Sequence, residues 1–104
     1  MVRVVHYDET PSGKLELKLR CKMGGDLQFQ LWLHHEADFQ DYAYQLFSEK
    51  PLLRWGNSPH YPDIFSAPHH VHDEHGIVHA SPLCGVVLKD LRMVLEEIEK
   101  WLKT

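Results

Sequence analysis

The sequence predicts an α+β fold, in which an antiparallel sheet of about four to six strands carries one long C-terminal helix on one face. Two observations support this prediction. The first half of the chain alternates between apolar and polar residues with a period of two, and turn residues separate the alternating stretches, as in half-buried strands. The C-terminal residues instead repeat their apolar side chains with the spacing of an amphipathic helix.

Two strands and a connecting turn are predicted at the start of the chain. Residues 2–7 alternate in hydrophobicity, and residues 8–13 (DETPSG) supply the turn. In residues 14–22, three leucines and a cysteine share one face, which is the most regular strand pattern in the chain. The other face of this strand carries Glu16 and the cations Lys14, Lys18, Arg20 and Lys22.

Three further segments complete the predicted sheet. Residues 23–26 form a second turn, and residues 27–33 alternate as a third strand. Residues 34–41 (HHEADFQD) are polar and acidic, so we predict a loop there. Residues 42–48 alternate again, and the apolar run LLRWGN after Pro51 is predicted to pair back as a hairpin partner.

The chain has 104 residues, enough for one domain and too few for two ordinary ones. We therefore predict a single domain over residues 1–104, with antiparallel strands in 1–57, a histidine- and proline-rich irregular segment in 58–82, and the helix in 83–103. An irregular segment of this length is uncommon in a compact domain unless it is functional or disordered, and its apolar and aromatic residues favour a packed segment. The helix is predicted to bury a stripe, flanked by Val87, Val94 and Trp101, that consists of Leu88, Leu91, Leu95, Ile98 and Leu102.

Composition excludes several classes of protein. The formal net charge is −4 and 43% of the residues are hydrophobic, which is ordinary for a globular protein. No apolar run is long enough to span a membrane and the first residues do not form a signal peptide, so we expect a cytoplasmic protein. Cys21 and Cys84 lack CxxC spacing, so we predict no disulfide framework and expect both to be buried. Nucleotide-binding and serine-hydrolase motifs are absent from the sequence.

Histidine is the compositional anomaly. The chain has nine histidines, and six of them lie in one stretch of twenty residues, namely His60, His69, His70, His72, His75 and His79. Because imidazole titrates near pH 6.5, protonation of a few rings brings the chain close to neutrality. The acidic residue count therefore does not exclude a polyanionic partner.

The residues around this cluster are suited to a phosphate group. Arg54 offers a planar fork of donors to phosphate oxygens. Two histidines of opposite protonation can act as base and acid in a transesterification whose nucleophile is the 2′-hydroxyl of RNA, without a metal. If residues 70–72 are extended, His70 and His72 share a face and His69 lies on the other. The candidate residues are His70, His72, His60 and His69 for catalysis, with Arg54 and Asn57 for substrate binding.

Other interpretations of the histidines stay open. Neutral imidazole binds zinc, nickel or copper, and Asp63, Asp73 or Glu74 could complete a site with His70 and His72, although the spacing does not match HExxH. That arrangement would make the protein a metal-dependent hydrolase or nuclease. Loop histidines also serve as surface polar residues or as partners for backbone groups. A further hypothesis is a non-enzymatic module that docks another protein.

Two weaker patterns are compatible with nucleic acid. Alternating aromatic residues could form a base-stacking platform, although such residues more often belong to a core; they are Trp32, Tyr42, Tyr44, Phe47 and Trp55. The cationic strand face in residues 14–22 could follow a nucleic-acid backbone, although an exposed charged face needs no ligand.

Two motifs carry a resemblance to a known family. They are RWGNSPHYP at residues 54–62 and PHHVH at residues 68–72, with Ser81-Pro82 ahead of the helix. Through them, residues 42–102 resemble the TumE-type toxins of prokaryotic toxin–antitoxin systems. Gly56 stands where that family tends to have aspartate, and Tyr61 where it tends to have a second histidine. The residues that match are Arg54, Asn57, His60, His69, His70 and His72.

The resemblance implies a growth-inhibiting toxin that acts on RNA and is neutralised by an antitoxin, often a DNA-binding helix-turn-helix protein. Together with the residue chemistry, it predicts a metal-independent endoribonuclease without a cofactor. The expected partners are RNA and the cognate antitoxin, with no membrane. A homodimer is a further expectation, because a domain of this size buries a limited share of its surface.

Overall fold

The computed structural model describes residues 2–37 and 39–103, except for the side chain of Phe39. Within these ranges the chain forms one open sheet of seven strands, followed by a helix. Each strand pairs antiparallel with the next in sequence order. The elements are β1 (Val2–Glu9), β2 (Leu15–Gly24), β3 (Leu27–Glu36), β4 (Phe39–Phe47), β5 (Pro51–Gly56), β6 (His70–His72), β7 (Val78–Ala80) and α1 (Val87–Leu102). The predicted α+β fold is confirmed.

The sheet has more strands than the four to six that the sequence predicts, because strands form inside the segment predicted to be irregular. β6 pairs with β5, and β7 pairs with β6. Each has three residues, which is too short for a recognisable period of two. The histidine segment therefore contributes an edge of the sheet as well as a loop.

The predicted loop at residues 34–41 is wrong for the part that the structure describes. β3 continues to Glu36 and β4 begins at Phe39, so the strands meet in a tight hairpin; Asp38 lies outside the described residues. His34 lies opposite Glu16 on the face of the sheet that carries polar residues. Because that face does not contribute to the core, polar residues there do not interrupt the strand.

The core lies between α1 and one face of β2 to β5. Its buried residues are Phe29, Leu31, Leu33, Tyr42, Tyr44, Leu46, Trp55, Leu83, Val94 and Ile98. Alternate residues of the same strands point to the opposite side, which we call the open face. The open face carries, among others, Arg20, Gln30, Trp32, Gln45, Arg54 and His72, which lie opposite one another across the strands or two residues away.

The stripe that the helix buries matches the predicted one only in part. Leu88 is 85% exposed, and Leu95 and Leu102 are also exposed, whereas Val94 and Ile98 are buried. α1 starts at Val87, four residues later than predicted. The prediction is therefore correct for Leu91 and Ile98 and wrong for the three exposed leucines. The buried face turns instead towards Asp90, a polar residue that is fully buried.

Two further expectations have different outcomes. Cys21 is half-buried and Cys84 is exposed, so the expectation that both are buried is wrong. In residues 2–37 and 39–103, no helix is both long enough and apolar enough to cross a membrane.

Candidate active site

A cleft of about 520 Å³ opens on the open face where β5 meets β6. The strand register sets its composition, because Arg54 lies opposite His72 and Gly56 lies opposite His70. Five of the six candidate residues line it, namely Arg54, Asn57, His60, His70 and His72. The predicted pairing of His70 and His72 on one face is confirmed, because their ring centroids are 5.2 Å apart.

His70 is held in one orientation inside the cleft. The residue is 4% exposed, and its Nδ1 lies 3.0 Å from the carbonyl oxygen of Pro68. A carbonyl oxygen can only accept, so Nδ1 carries the hydrogen and donates it. In the neutral ring, Nε2 is then the acceptor. It lies beside Gly56, where an added Cβ would come within 3.7 Å of it. The missing side chain at Gly56 therefore leaves space next to Nε2.

Three rings form a cluster at one wall of the cleft. Besides the contact between the two histidines, the Tyr61 ring lies 4.7 Å from the His70 ring and 5.4 Å from the His72 ring, centroid to centroid. Sequence reasoning missed Tyr61, noting it only as a departure from the family pattern. Its position depends on the fold of residues 57–69, which has no periodic signal in the sequence.

The environment of His72 favours its neutral form. Burial lowers the pKa of His72 below its usual value of 6.5, and the nearby charges of His70 and Arg54 lower it further, while Asp73 acts in the opposite direction. A neutral imidazole next to a guanidinium can accept a proton near pH 7. No local sequence pattern indicates this effect, because Arg54 and His72 become neighbours only through the pairing of β5 with β6.

An NMR titration of the His72 ring checks this electrostatic environment. We expect a pKa below 6.5 in the wild-type protein and a higher value in Arg54→Gln, because the substitution removes a cation that disfavours protonation. Arg92→Gln is the matched control. Its guanidinium pairs with Glu96 on the exposed surface of α1. A His72 pKa at or above 6.5, or equal effects of the two substitutions, would contradict the assignment.

Asn57 lines the cleft, but both ends of its amide are bonded to the backbone of β4. Its Oδ1 accepts from the backbone N–H of Tyr42 at 3.0 Å, and its Nδ2 donates to the carbonyl of Gln40 at 2.7 Å. The side chain thus continues the pairing of β4 and β5 beyond Gly56. This arrangement fixes the point where the chain leaves β5 for the loop.

The other two candidate histidines lie apart from the pair. His60 is exposed at the rim of the cleft. His69 lies towards the core side, as the alternation predicts, with its Nδ1 2.6 Å from the hydroxyl of Tyr42. Burial, followed by the charge of Asp90, raises the pKa of Tyr42, so the phenol stays protonated. The direction of its hydrogen bond with Nδ1 follows the tautomer of His69.

Ser66 holds the loop that leads to His70. Its hydroxyl donates to the carbonyl of His69 at 2.5 Å and accepts from the backbone N–H of Ser81 at 2.8 Å. These bonds connect the two ends of the segment that contains β6 and β7. His69 and His70 are therefore positioned by their own backbone and by the residues that follow β7.

Asp73 is occupied by the turn between β6 and β7. Its Oδ1 accepts from the backbone N–H groups of His75 and Ile77, and its Oδ2 lies 2.7 Å from Nε2 of His79. The bond from His79 is the main reason that the pKa of Asp73 is lowered to about 2. Across the described part of the chain, no three His, Cys, Asp or Glu side chains come together to hold a metal ion. The Asp73 carboxylate therefore holds the turn between β6 and β7.

Comparison with known proteins identifies the family. Neither the curated proteins nor the solved structures contain a significant match to this chain. A family model described as Toxin TumE matches residues 2–102, which is nearly the whole chain and includes the strands of the first half. The chain therefore belongs to the TumE toxin family and is a toxin component of a toxin–antitoxin system.

Proposed function

We propose that this toxin is a metal-independent endoribonuclease whose catalytic residues are His70 and His72. The observation that carries the proposal is the cleft, in which the two imidazole rings lie 5.2 Å apart with Arg54 opposite His72. A pair of histidines at this separation can reach the two sides of one phosphodiester, and an arginine can neutralise its charge.

The environments of the two rings suggest their roles. His72 is the base, because its lowered pKa keeps it neutral, and it takes the proton from the 2′-hydroxyl of the RNA. The 2′-oxygen then forms a bond to phosphorus while the bond from phosphorus to the 5′-oxygen breaks. His70 is the acid in its protonated form: its Nδ1–H stays bonded to the Pro68 carbonyl, and its Nε2 gives its proton to the leaving 5′-oxygen. The products are a 2′,3′-cyclic phosphate and a 5′-hydroxyl, and no water or metal is consumed.

The remaining candidate residues support this pair. Arg54 binds the phosphate and stabilises the charge that develops on its oxygens. Asn57 and His69 act as positioning residues, since their polar atoms are bonded within the protein. His60, at the exposed rim, contacts the substrate or replaces one member of the pair.

Partners and location are part of the same proposal. We propose that the toxin acts on RNA in the cytoplasm and is neutralised by a cognate antitoxin of the helix-turn-helix type. A second copy of the chain is a further partner. Val2 and Val4 on the edge strand β1 are exposed, and exposed apolar residues on an edge strand are typical of protein contacts. Light scattering of the purified toxin, alone and with its antitoxin, measures both associations.

RNA cleavage with and without EDTA tests the proposed function. We expect the purified toxin to cleave a long mixed-sequence RNA at the same rate in both conditions, because the proposed proton transfers by His70 and His72 use no metal ion. Activity that EDTA removes would make the histidines metal ligands and the protein a metal-dependent nuclease. Absence of cleavage in both conditions would favour a non-enzymatic binding module.

A further inference from the structure

A row of polar donors crosses the open face from β2 to the candidate site. Arg20 lies opposite Gln30, Gln30 opposite Gln45, Gln45 opposite Arg54, and Arg54 opposite His72. Three strand spacings separate Arg20 from Arg54, which corresponds to about 14 Å. The row contains no carboxylate, although the chain as a whole is acidic. We call these residues, from Arg20 to Arg54, the arginine row.

The Arg20 guanidinium is fixed on this face. Its Nε and Nη2 donate to Oε1 of Gln30 at 3.2 and 2.7 Å, and its Cζ lies 5.7 Å from the centre of the Phe47 ring. Because a guanidinium has five N–H groups, these two bonds leave three for a phosphate. The groove around Arg20 is also lined by Arg3 and Lys22, so the positive charge continues beyond the row.

The neighbouring row provides a place for a base. Trp32 lies opposite Ala43, Ala43 opposite Gly56, and Gly56 opposite His70. All four residues line the cleft. The small side chains of Ala43 and Gly56 leave a shallow depression between the indole of Trp32 and the imidazole of His70. These two rings lie on strands that are three spacings apart, which corresponds to about 14 Å. An aromatic wall beside a flat floor is typical of sites that stack nucleobases.

Negative charge on the far side of the cleft determines on which side a nucleic-acid backbone can lie. Beyond the row of Trp32 lies a third row, in which Glu16 is opposite His34 and His34 is opposite Asp41. Glu16 also accepts a hydrogen bond from the Trp32 indole at 3.4 Å. Carboxylates repel phosphates, so a nucleic-acid backbone is favoured on the side of the arginine row.

We propose that single-stranded RNA crosses the open face perpendicular to the strands, with its phosphates along the arginine row and a base stacked on Trp32. The scissile phosphate then lies at Arg54, and a second phosphate lies at Arg20. This inference rests on the proposed ribonuclease function and adds to it a binding surface that extends from the active site to β2. It also explains how an acidic chain can bind RNA, because α1 carries exposed acids, among them Glu96, Glu97 and Glu99, while the open face carries the cations.

Binding of an uncleavable RNA tests this surface separately from catalysis. The probe is a fluorescein-labelled 2′-O-methyl octanucleotide, and its Kd is measured by anisotropy over a series of salt concentrations. We expect Arg20→Gln to weaken binding about fivefold. The slope of log K against log salt should also fall by about 0.7, as for one lost phosphate contact on a single strand. Arg92→Gln removes the same charge from α1 and should change neither quantity.

Substrate length and tryptophan fluorescence provide two further readouts. Cleavage of an RNA dinucleotide should be unaffected by Arg20→Gln, because a single phosphate at Arg54 does not reach Arg20, whereas cleavage of an octanucleotide should slow. Binding of the octanucleotide should quench the fluorescence of Trp32, and Trp32→Phe should remove this quenching. The phenylalanine keeps an aromatic ring at this position, so the substitution should not disturb the fold.

The outcomes separate this inference from the proposed function. One outcome is that the toxin cleaves RNA in EDTA, but wild type, Arg20→Gln and Arg92→Gln bind the octanucleotide with equal affinity. That result would overturn the binding surface and leave the ribonuclease proposal intact. Equal losses in Arg20→Gln and Arg92→Gln would show attraction by overall charge and would also overturn it. No cleavage of either substrate, together with no binding of the octanucleotide, would overturn both.

Discussion

His70→Ala is expected to lower the rate of RNA cleavage by about 10²- to 10⁴-fold, because it removes one of the two groups that transfer protons. His72→Ala should lower the rate by a similar factor. Since the two rings act on the same phosphodiester, the double variant should lose little more than either single variant. Expression of either variant in cells should no longer arrest growth. Steady-state rates on a labelled oligoribonucleotide provide the measurement.

His75→Ala is the matched control for these variants. His75 lies in the turn between β6 and β7, and its side chain is 74% exposed. Its removal should leave the cleavage rate unchanged. Thermal unfolding of each variant separates loss of catalysis from loss of fold, because His70 is buried and bonded to Pro68. Full activity in a folded His70→Ala protein would remove His70 from the mechanism.

Asp90→Ala is expected to reduce the free energy of unfolding by about 3 kcal/mol. Asp90 is fully buried in the first turn of α1, and its carboxylate accepts from the backbone N–H groups of Cys84 at 3.0 Å and Gly85 at 2.7 Å. Alanine would remove both hydrogen bonds, and a hydrogen bond to a charged group contributes about 1.5–3 kcal/mol. Urea unfolding followed by circular dichroism measures the change.

Two variants serve as references for the Asp90 prediction. Asp90→Asn keeps one acceptor oxygen and should destabilise the protein by less than alanine does. Asp63→Ala changes an exposed carboxylate in the loop before β6, and it should stay within about 0.5 kcal/mol of wild type. A loss below about 1 kcal/mol in Asp90→Ala would mean that the carboxylate does not connect α1 to the preceding loop.

The parts of the fold that follow local periodicity were predictable from the sequence. The alternation of leucines in β2 and the alternation in residues 70–72 each place side chains on the correct face, because successive residues of a strand always point to opposite sides. The same rule cannot show that residues 34–36 continue β3, since a run of polar residues in a strand has the same sequence pattern as a loop. It also cannot find strands of three residues.

The remaining errors and omissions have a common cause, which is that they depend on contacts between distant residues. Asp90 belongs to the buried stripe of α1 because of the N–H groups of Cys84 and Gly85, and hydrophobicity alone does not reveal this. Tyr61 reaches the two histidines through the irregular loop. Likewise, the arginine row exists only because the register of four strands places Arg20 and Arg54 in line.

Identification of the cleavage product's ends tests the central claim most directly. The claim is that His70 and His72 drive attack by the RNA's own 2′-hydroxyl. An oligoribonucleotide is incubated with the toxin in EDTA, and its fragments are analysed by mass spectrometry. We predict a 2′,3′-cyclic phosphate on the upstream fragment and a 5′-hydroxyl on the downstream one, with no cleavage of the fully 2′-O-methylated oligonucleotide. A 5′-phosphate end, or cleavage of the methylated oligonucleotide, would contradict the account.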